Sequence, residues 1–335
     1  MSRKLLWLIA ALVPLMQGQA RADDEPIGIV TGPKTGTYYA FGQDIAQIAG
    51  KAGIEVDAKP SEGSIDNIKR INSSENAAVG IVQSDVLGFL SRSKSSESMR
   101  VAGNLRMVFP FYDEEVHVLA RNGIKSFGDL QEKKVAVGEE GSGNMLTAIN
   151  LFAMMNITPA ESLRMPSTQG VVAVLKGDVD AVIFVGGKPV RLFKNLEDLT
   201  LPENKKYAPM LQQVHFLPLD SPKMLEEYKP ARITHEDYSF VREPVPTIAV
   251  QAMLISYDFS QSKPSKKRCE KLAALTKQIR QELPTLREKG HPKWKEVNLD
   301  ADTGLWRKDS CVWPGAKLDN ADKSGLMKIL EKSKN

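Results

Sequence analysis

Four short, polar, glycine-rich stretches carry residue types suited to holding a small anion: Thr35-Gly36-Thr37-Tyr38, Gly63-Ser64, Gln83-Ser84-Asp85 and Gly141-Ser142-Gly143-Asn144. Each stands where a helical pattern opens. A helix start leaves backbone N–H groups free and carries about half a positive charge. Several converging on one point would bind a carboxylate without an Arg or Lys at every contact. One such opening is ordinary capping; four, at matching places in two halves of a chain, point to an anion-binding cleft.

Catalytic arrangements are harder to assemble. Ser142 lies in Gly-Ser-Gly, but the nucleophile-elbow pattern fails because positions 140 and 144 are Glu and Asn. His117, near Asp113, Glu114 and Glu115, reads as a structural or surface residue. Gly28 to Gly36 matches neither dinucleotide- nor P-loop spacing. The four histidines are scattered, and none has ligand spacing with a cysteine. A binding protein without cofactor or metal is the expectation, not an enzyme.

The elements that must position these stretches alternate. Ile27 to Thr31 predicts a strand, followed by a helix on which Tyr38, Phe41, Ile45, Ile48 and Ala52 share a face. Ile54, Val56 and Ala58 predict a second strand. A helix follows with Ser64 as its N-cap and Ile65, Ile68 and Ile71 on one side, then a continuous strand, Ala77 to Val82. From Val116 the pattern begins again: strands at Val116 to Ala120, Val135 to Val137 and Ala181 to Val185, with helices opened by the Gly-Ser-Gly loop and at Val171. A shift of about 104 residues lays Asn76-Ala77-Ala78-Val79 over Asp180-Ala181-Val182-Ile183. The expected fold is therefore α/β with mainly parallel sheets and two similar lobes. A strand at Thr247 to Ser256 and helices at Lys266 to Leu286 and Leu318 to Lys332 should return to the first lobe and complete it. The domains read as 1–22, 23–114, 115–230 and 231–335, with two chain crossings and a cleft between the lobes.

Composition agrees with a globular protein: 335 residues, 42% hydrophobic and 26% charged. Arg3 and Lys4, the apolar run Leu5 to Met16 and Ala20-Arg21-Ala22 have the form of a secretory signal peptide cleaved after Ala22, which places the mature chain in the periplasm. Without Arg3, Lys4 and Arg21, the 45 basic residues become 42 against 41 acidic. That balance gives no argument for nucleic acid or an anionic membrane. Cys269 and Cys311 are the only cysteines. In an oxidising compartment they read as one disulfide, with free thiols or a metal site as alternatives.

The residues also resemble a family. Thr31-Gly32-Pro33-Lys34-Thr35-Gly36-Thr37-Tyr38-Tyr39, Glu62-Gly63-Ser64-Ile65-Asp66-Asn67 and Val82-Gln83-Ser84-Asp85-Val86 are similar to the TAXI-type substrate-binding proteins of tripartite ATP-independent periplasmic (TRAP) transporters. Gly138 to Asn144, Gly177-Asp178-Val179-Asp180-Ala181 and Gly186-Gly187-Lys188-Pro189 continue the resemblance. It implies a type II periplasmic-binding-protein fold, a small carboxylate or amino acid held between the lobes, glutamate-like or oxo-dicarboxylic, and delivery to membrane permease subunits. The site it implies comprises Thr37, Tyr38, Tyr39, Ser64, Asn67, Gln83, Ser84 and Asp85 facing Ser142, Gly143, Asn144, Gly186, Gly187 and Pro189. Departures fall at Pro33-Lys34, at Glu139 and Glu140, and at Ile233 to Tyr238. These acids, with Asp113, Glu114 and Glu115, allow a ligand with a positive group, although each reads first as a solvated surface charge. An ABC importer, a sensor kinase or a ligand-free interaction role are the alternatives on the same fold.

Overall fold

The computed structural model describes residues 25–73, 78–93, 95–258, 265–304 and 306–314. The signal-peptide segment, the helix expected at Leu318 to Lys332 and the start of the Ala77 strand lie outside them. Strand β1 (Ile27–Val30) leads into α1 (Thr37–Lys51), then β2 (Val56–Lys59), α2 (Ser64–Ser73), β3 (Val79–Gln83), α3 (Val86–Arg92) and α4 (Ser96–Asn104). The long β4 (Leu105–Arg121) is followed by β5 (Lys134–Gly138), α5 (Gly143–Met155), β6 (Glu161–Arg164), α6 (Ser167–Lys176) and β7 (Ala181–Gly186). The short α7 (Arg191–Lys194), α8 (Ala208–Leu211), β8 (Val214–Phe216), α9 (Pro222–Leu225) and β9 (Lys229–Ile233) precede β10 (Val245–Tyr257) and α10 (Ser265–Lys289).

One sheet holds these strands in the order β2-β1-β3-β10-β4-β7-β5-β6, with β8 beside β4 and β9 beside β10. Each end is a parallel trio: β2 and β3 flank β1, while β6 and β7 flank β5. The centre is antiparallel. β10 pairs with β3 through Ala252 to Ser256 and with β4 along most of its length, and β7 pairs with β4 through Glu115 to Ala120. The first trio thus borders β10 and the second borders β4, giving two α/β halves that, among the described residues, share only this central pair of strands. The step from 114 to 115 falls inside β4, within a strand and not at a linker.

Three apolar clusters fill the molecule. One packs α1, α10 and Trp294 on the first half, around Phe41 and Phe109. Another surrounds Phe193 and Tyr238 on the second half. The third runs across both halves, joining Ile65, Ile68, Val86 and Leu90 to Met145, Leu146 and Leu151. Helix α5 is accordingly buried on most of its circumference, as its nearly uninterrupted apolar sequence requires.

His117 is fully buried and stacks on Phe193 at 5.1 Å between ring centres, with Nε2 2.9 Å from the Tyr238 hydroxyl. Burial pushes its pKa down to about 3, which keeps the ring neutral and structural. Cys269 on α10 bridges to Cys311, 42 residues on, and ties the helix to the segment that packs Trp313 against Phe109. Among the described residues no helix is long and apolar enough to cross a membrane.

Loop closure over that separation should hold about 4 kcal/mol in the chain-entropy model. Replacing both cysteines by serine is therefore expected to lower urea-unfolding stability by about 2–4 kcal/mol. Unchanged stability, or two titratable thiols in the unreduced, unfolded protein, would reject the pairing.

Candidate functional site

The halves meet along a seam of polar groups, most of them buried, where the chain passes from one half to the other along the paired β4 and β10, at Asp113 to Glu115 against Ala249 to Gln251. On one side of the crossing the seam is sealed by direct hydrogen bonds. The N–H groups of Ile65 and Asp66, at the start of α2, donate to the Gly141 carbonyl at 3.1 and 3.3 Å. Gly63 has φ of +122° and lies so close to Ser142 and Gly143 that a Cβ there would stand 3.3 Å from the Gly143 nitrogen. Gly143 is equally constrained, because a Cβ on it would overlap the Gln83 carboxamide. Thus the α2 opening receives a carbonyl from the other half instead of presenting free N–H groups.

Asp85 continues the seam. Its Oδ2 accepts from Thr147 Oγ1 at 2.9 Å, Asn150 Nδ2 at 3.3 Å and the Tyr228 hydroxyl at 3.0 Å, while Asn150 Nδ2 also reaches the Asp85 carbonyl at 2.9 Å. Thr147 Oγ1 also lies 3.3 Å from Gln83 Oε1. Burial raises the Asp85 pKa to about 6 against the opposing pull of these donors. Oδ1 has no partner. Arg92 on α3 bonds Asn150 at 3.0 Å and pairs with Glu227, adding another bridge between the halves.

On the other side, beyond Ser64, the Tyr38 hydroxyl donates to Glu114 Oε2 at 2.7 Å. Glu114 is 6% exposed, and desolvation, reinforced by the Glu115 and Asp85 charges, raises its pKa to about 8 although Tyr38 and Lys293 oppose the shift. Glu115, likewise raised by burial, accepts from the Lys188 N–H at 3.0 Å. Tyr112, two residues before Glu114 on the same strand face, is 1% exposed, and its hydroxyl has no hydrogen-bond partner. Lys293 lies 5.9 Å from the Tyr112 ring centre, and a Cβ on Gly187 would overlap its side chain.

Of the residues expected in the site, Thr37, Tyr38, Ser64, Gln83, Asp85, Ser142, Gly143, Gly186 and Gly187 lie on or beside this seam. Others have different work. Asn67 spends its amide on the Thr31 and Ile81 carbonyls, both at 2.6 Å, and accepts from Ser61. Asn144 joins Ser167 to the Val185 N–H, and Ser84 bonds β10 at Gln251. Pro189 is exposed, and no bond places the Tyr39 hydroxyl in the seam. Ser64 is the first residue of α2 and not its N-cap, because its hydroxyl accepts the Gln83 N–H at 3.1 Å. Ser142 does cap α5, accepting from Met145 at 3.2 Å.

Glu114 and Glu115 were expected to be solvated. They are buried because β4 continues from one half into the other and carries them beneath both. Asp113 is half-buried and pairs with Lys229, whereas Glu139, Glu140 and Glu236 face solvent. Asp237 pairs with Lys188. Tyr112, Thr147, Asn150, Tyr228 and Lys293 escaped the sequence reading. Three consecutive acids, Asp113 to Glu115, between the apolar runs of β4 were the available signal for the crossing; Lys293 has none.

Residues 29–305 match the model of the NMT1-like family. Among solved structures, the chain is similar to the substrate-binding protein of an amino acid ABC transporter, with 14% identity, TM-score 0.43, and 79% of this chain and 99% of that one covered. It is similar to an ancestral arginine-binding protein bound to arginine, with 15% identity, TM-score 0.42 and coverage of 79% and 98%. A third structure, of glutathione import in Gram-positive bacteria via GshT and the cystine ABC importer TcyBC of Streptococcus mutans, has 14% identity, TM-score 0.44 and coverage of 84% and 98%.

Two outcomes follow from the seam. Glu114 holds a proton near pH 8 when folded, against an ordinary value of 4.5. Its contribution to stability is therefore full below pH 4.5 and is lost as pH rises through 8. Glu114→Gln should match the wild-type unfolding midpoint at pH 4.5 and exceed it at pH 8.5 by the equivalent of about 1–3 kcal/mol. A deficit at both pH values would sink this. Asp85→Ala strands three buried donors and should cost about 2–4 kcal/mol in denaturant unfolding; a loss below about 0.5 kcal/mol would show that they find other partners.

Proposed function

This chain belongs to the NMT1-like family, and we propose that it is a periplasmic solute-binding protein that captures a small organic acid or amino acid between its two halves. The observation that carries this is the buried polar seam at the β4 and β10 crossing, with Asp85 Oδ1 and Tyr112 Oη both unpartnered. Buried polar groups are nearly always satisfied inside a native protein. Two such atoms along one seam support a small polar molecule as the missing partner. Glu114 acts electrostatically with both Asp85 and Lys293, so an acceptor end and a donor end lie within one continuous field. That combination suits a glutamate-like ligand, whose ammonium would meet the acceptor end and a carboxylate the donor end, whereas an oxo-dicarboxylate would use the donor end alone.

Closure of the halves over the solute is the mechanism, with the two central strands flexing at their crossing. It calls for no bond-making step. The resemblance to TAXI-type proteins supports the permease subunits of a TRAP transporter as the receiving partner. A second reading, a binding fold that contacts another protein without a solute, is favoured by one observation: Gly141 already fills the start of α2.

Thermal unfolding of the mature chain, refolded free of carried-over ligand, distinguishes the two. Dicarboxylates, oxo acids and amino acids would each be added in turn. A ligand at a hundred times its dissociation constant adds about 2.7 kcal/mol and should raise the midpoint by several degrees. A shift confined to one chemical group is expected. No shift with any member of the panel would favour the interaction role.

A further inference from the structure

Helix α3 is gripped at both ends from the second half. At its start, Asp85 accepts from Thr147 and Asn150 on α5 and from Tyr228, which follows α9. At its end, the Arg92 guanidinium donates through Nη1 to Asn150 Oδ1 at 3.0 Å and through Nη2 to Glu227. Asn150 and the Glu227-Tyr228 pair therefore each meet both ends of one seven-residue helix. Arg92 allows this by leaning back toward the helix start, the direction in which helical side chains point. Gly88, one turn earlier, leaves it room: a Cβ there would stand 2.6 Å from Arg92 Nη1 and 3.3 Å from Glu227 Oε2. Glycine is a poor helix former, and here the ion pair occupies the space that a side chain would take.

The two arms of Arg92 differ in strength. Asn150 is fully buried, so no water replaces a lost donor at its carbonyl, and a hydrogen bond from a charged group is the stronger kind. The Glu227 side chain is 41% exposed, and that arm is screened by solvent. Arg92 also acts through Asn150. A guanidinium only donates, so it holds the carbonyl end of the Asn150 amide and leaves the NH2 end to the Asp85 carboxylate and carbonyl.

We propose that Arg92 is the latch between the halves, a positioning residue that, laid over Gly88, holds α3 against α5 through Asn150 and Glu227 and so sets how readily the seam opens and a solute leaves. The latch requires only the two halves; its bearing on release rests on the solute-binding reading.

Hydrogen exchange measures opening without any ligand. The Ile65 and Asp66 amides donate across the seam to Gly141, whereas the strand amides of β1 and β5 bond within one half each. The mature full chain, Arg92→Met, Arg92→Lys and Glu227→Gln would be compared by native-state exchange. Arg92→Met is expected to speed exchange at Ile65 and Asp66 about tenfold or more, with β1 and β5 unchanged. Arg92→Lys, lacking the fork that reaches two partners, should fall between wild type and Arg92→Met. Glu227→Gln should speed exchange only about two- to fivefold. Stopped-flow release of whichever of L-glutamate, 2-oxoglutarate and succinate the wild type binds gives the second readout. Arg92→Met should raise the dissociation rate about tenfold or more and leave the association rate within about threefold of wild type.

Unchanged exchange at Ile65 and Asp66 in Arg92→Met would overturn the latch. A rise shared equally by β1 and β5 would make Arg92 a contributor to overall stability alone and overturn it as well. Faster exchange at the seam with an unchanged dissociation rate would overturn its part in release. If the wild-type chain binds none of the three compounds, the carboxylate-binding reading fails, and exchange at the seam decides the latch by itself.

Discussion

The antiparallel pairing of β4 with β10 is the constraint from which the rest of the molecule follows. Both strands are long enough to serve two half-sheets at once, so neither half can shift without bending the same hydrogen-bonded ladder. The register slips between Gln251 and Met253, beside the point where the chain passes from one half to the other. Such irregularities locally loosen and re-aim a strand. The crossing therefore does two things with one piece of backbone: it links the halves, and it carries Tyr112, Asp113, Glu114 and Glu115 into the space between them. Strand alternation then divides their duties. Tyr112 and Glu114 face Tyr38 and the start of α1, while Asp113 turns to Lys229 and Glu115 meets the Lys188 backbone.

The remaining contacts between the halves are of two chemical kinds, and they have different consequences for opening. The apolar cluster joining α2, α3 and α5 is non-directional and tolerates small sliding. The hydrogen bonds around Gly141, Gln83 and Asp85 are directional, and in a buried site a donor deprived of its partner bears the full desolvation cost. The bonds from Thr147, Asn150 and Tyr228 share one carboxylate oxygen of Asp85, so separating the halves would break them together. Asp85 sits at the end of β3 with its donors on α5 and at Tyr228, so this coupling joins sites far apart in sequence.

How much of this was legible before folding depends on whether a signal was local. Alternation and helical spacing revealed β1, α1, β3, α5 and β7, because a strand or an amphipathic helix declares itself within a few residues. The Cys269–Cys311 bridge was legible as a pair with no other partner, whereas the cap was expected at Ser64 and is made instead by Ser142. Glu114 and Glu115 were misread because charge in a sequence normally means solvent, and only the passage of β4 beneath both halves removes the water. Asn67 and Asn144 matched the expected site by position, yet their amides are consumed by backbone groups of Thr31, Ile81 and Val185, which no motif reveals. Lys293 reaches the seam from a turn beyond α10, purely through tertiary packing.

Stability alone gives a poor account of the seam. A chain selected only to close its halves would gain by replacing Glu114 with an amide, by partnering Asp85 Oδ1, and by exchanging Tyr112 for phenylalanine in a cluster that already contains Phe41, Phe109 and Phe111. Each change removes a buried group that is charged, raised in pKa or unpaired, and none demands a new backbone path. The costly groups are moreover neighbours, Glu114 acting on Asp85 directly and on Tyr112 along the same strand face, whereas the amides of Asn67 and Asn144 just outside are fully satisfied. Among the described residues the unpartnered buried side-chain atoms both lie where the two halves meet, and the proposed solute site rests on that concentration of unmet polarity. The openings of α2 and α5 are met by the protein's own groups, the Gly141 carbonyl and the Ser142 hydroxyl, and these two fixed contacts help set the register between the halves.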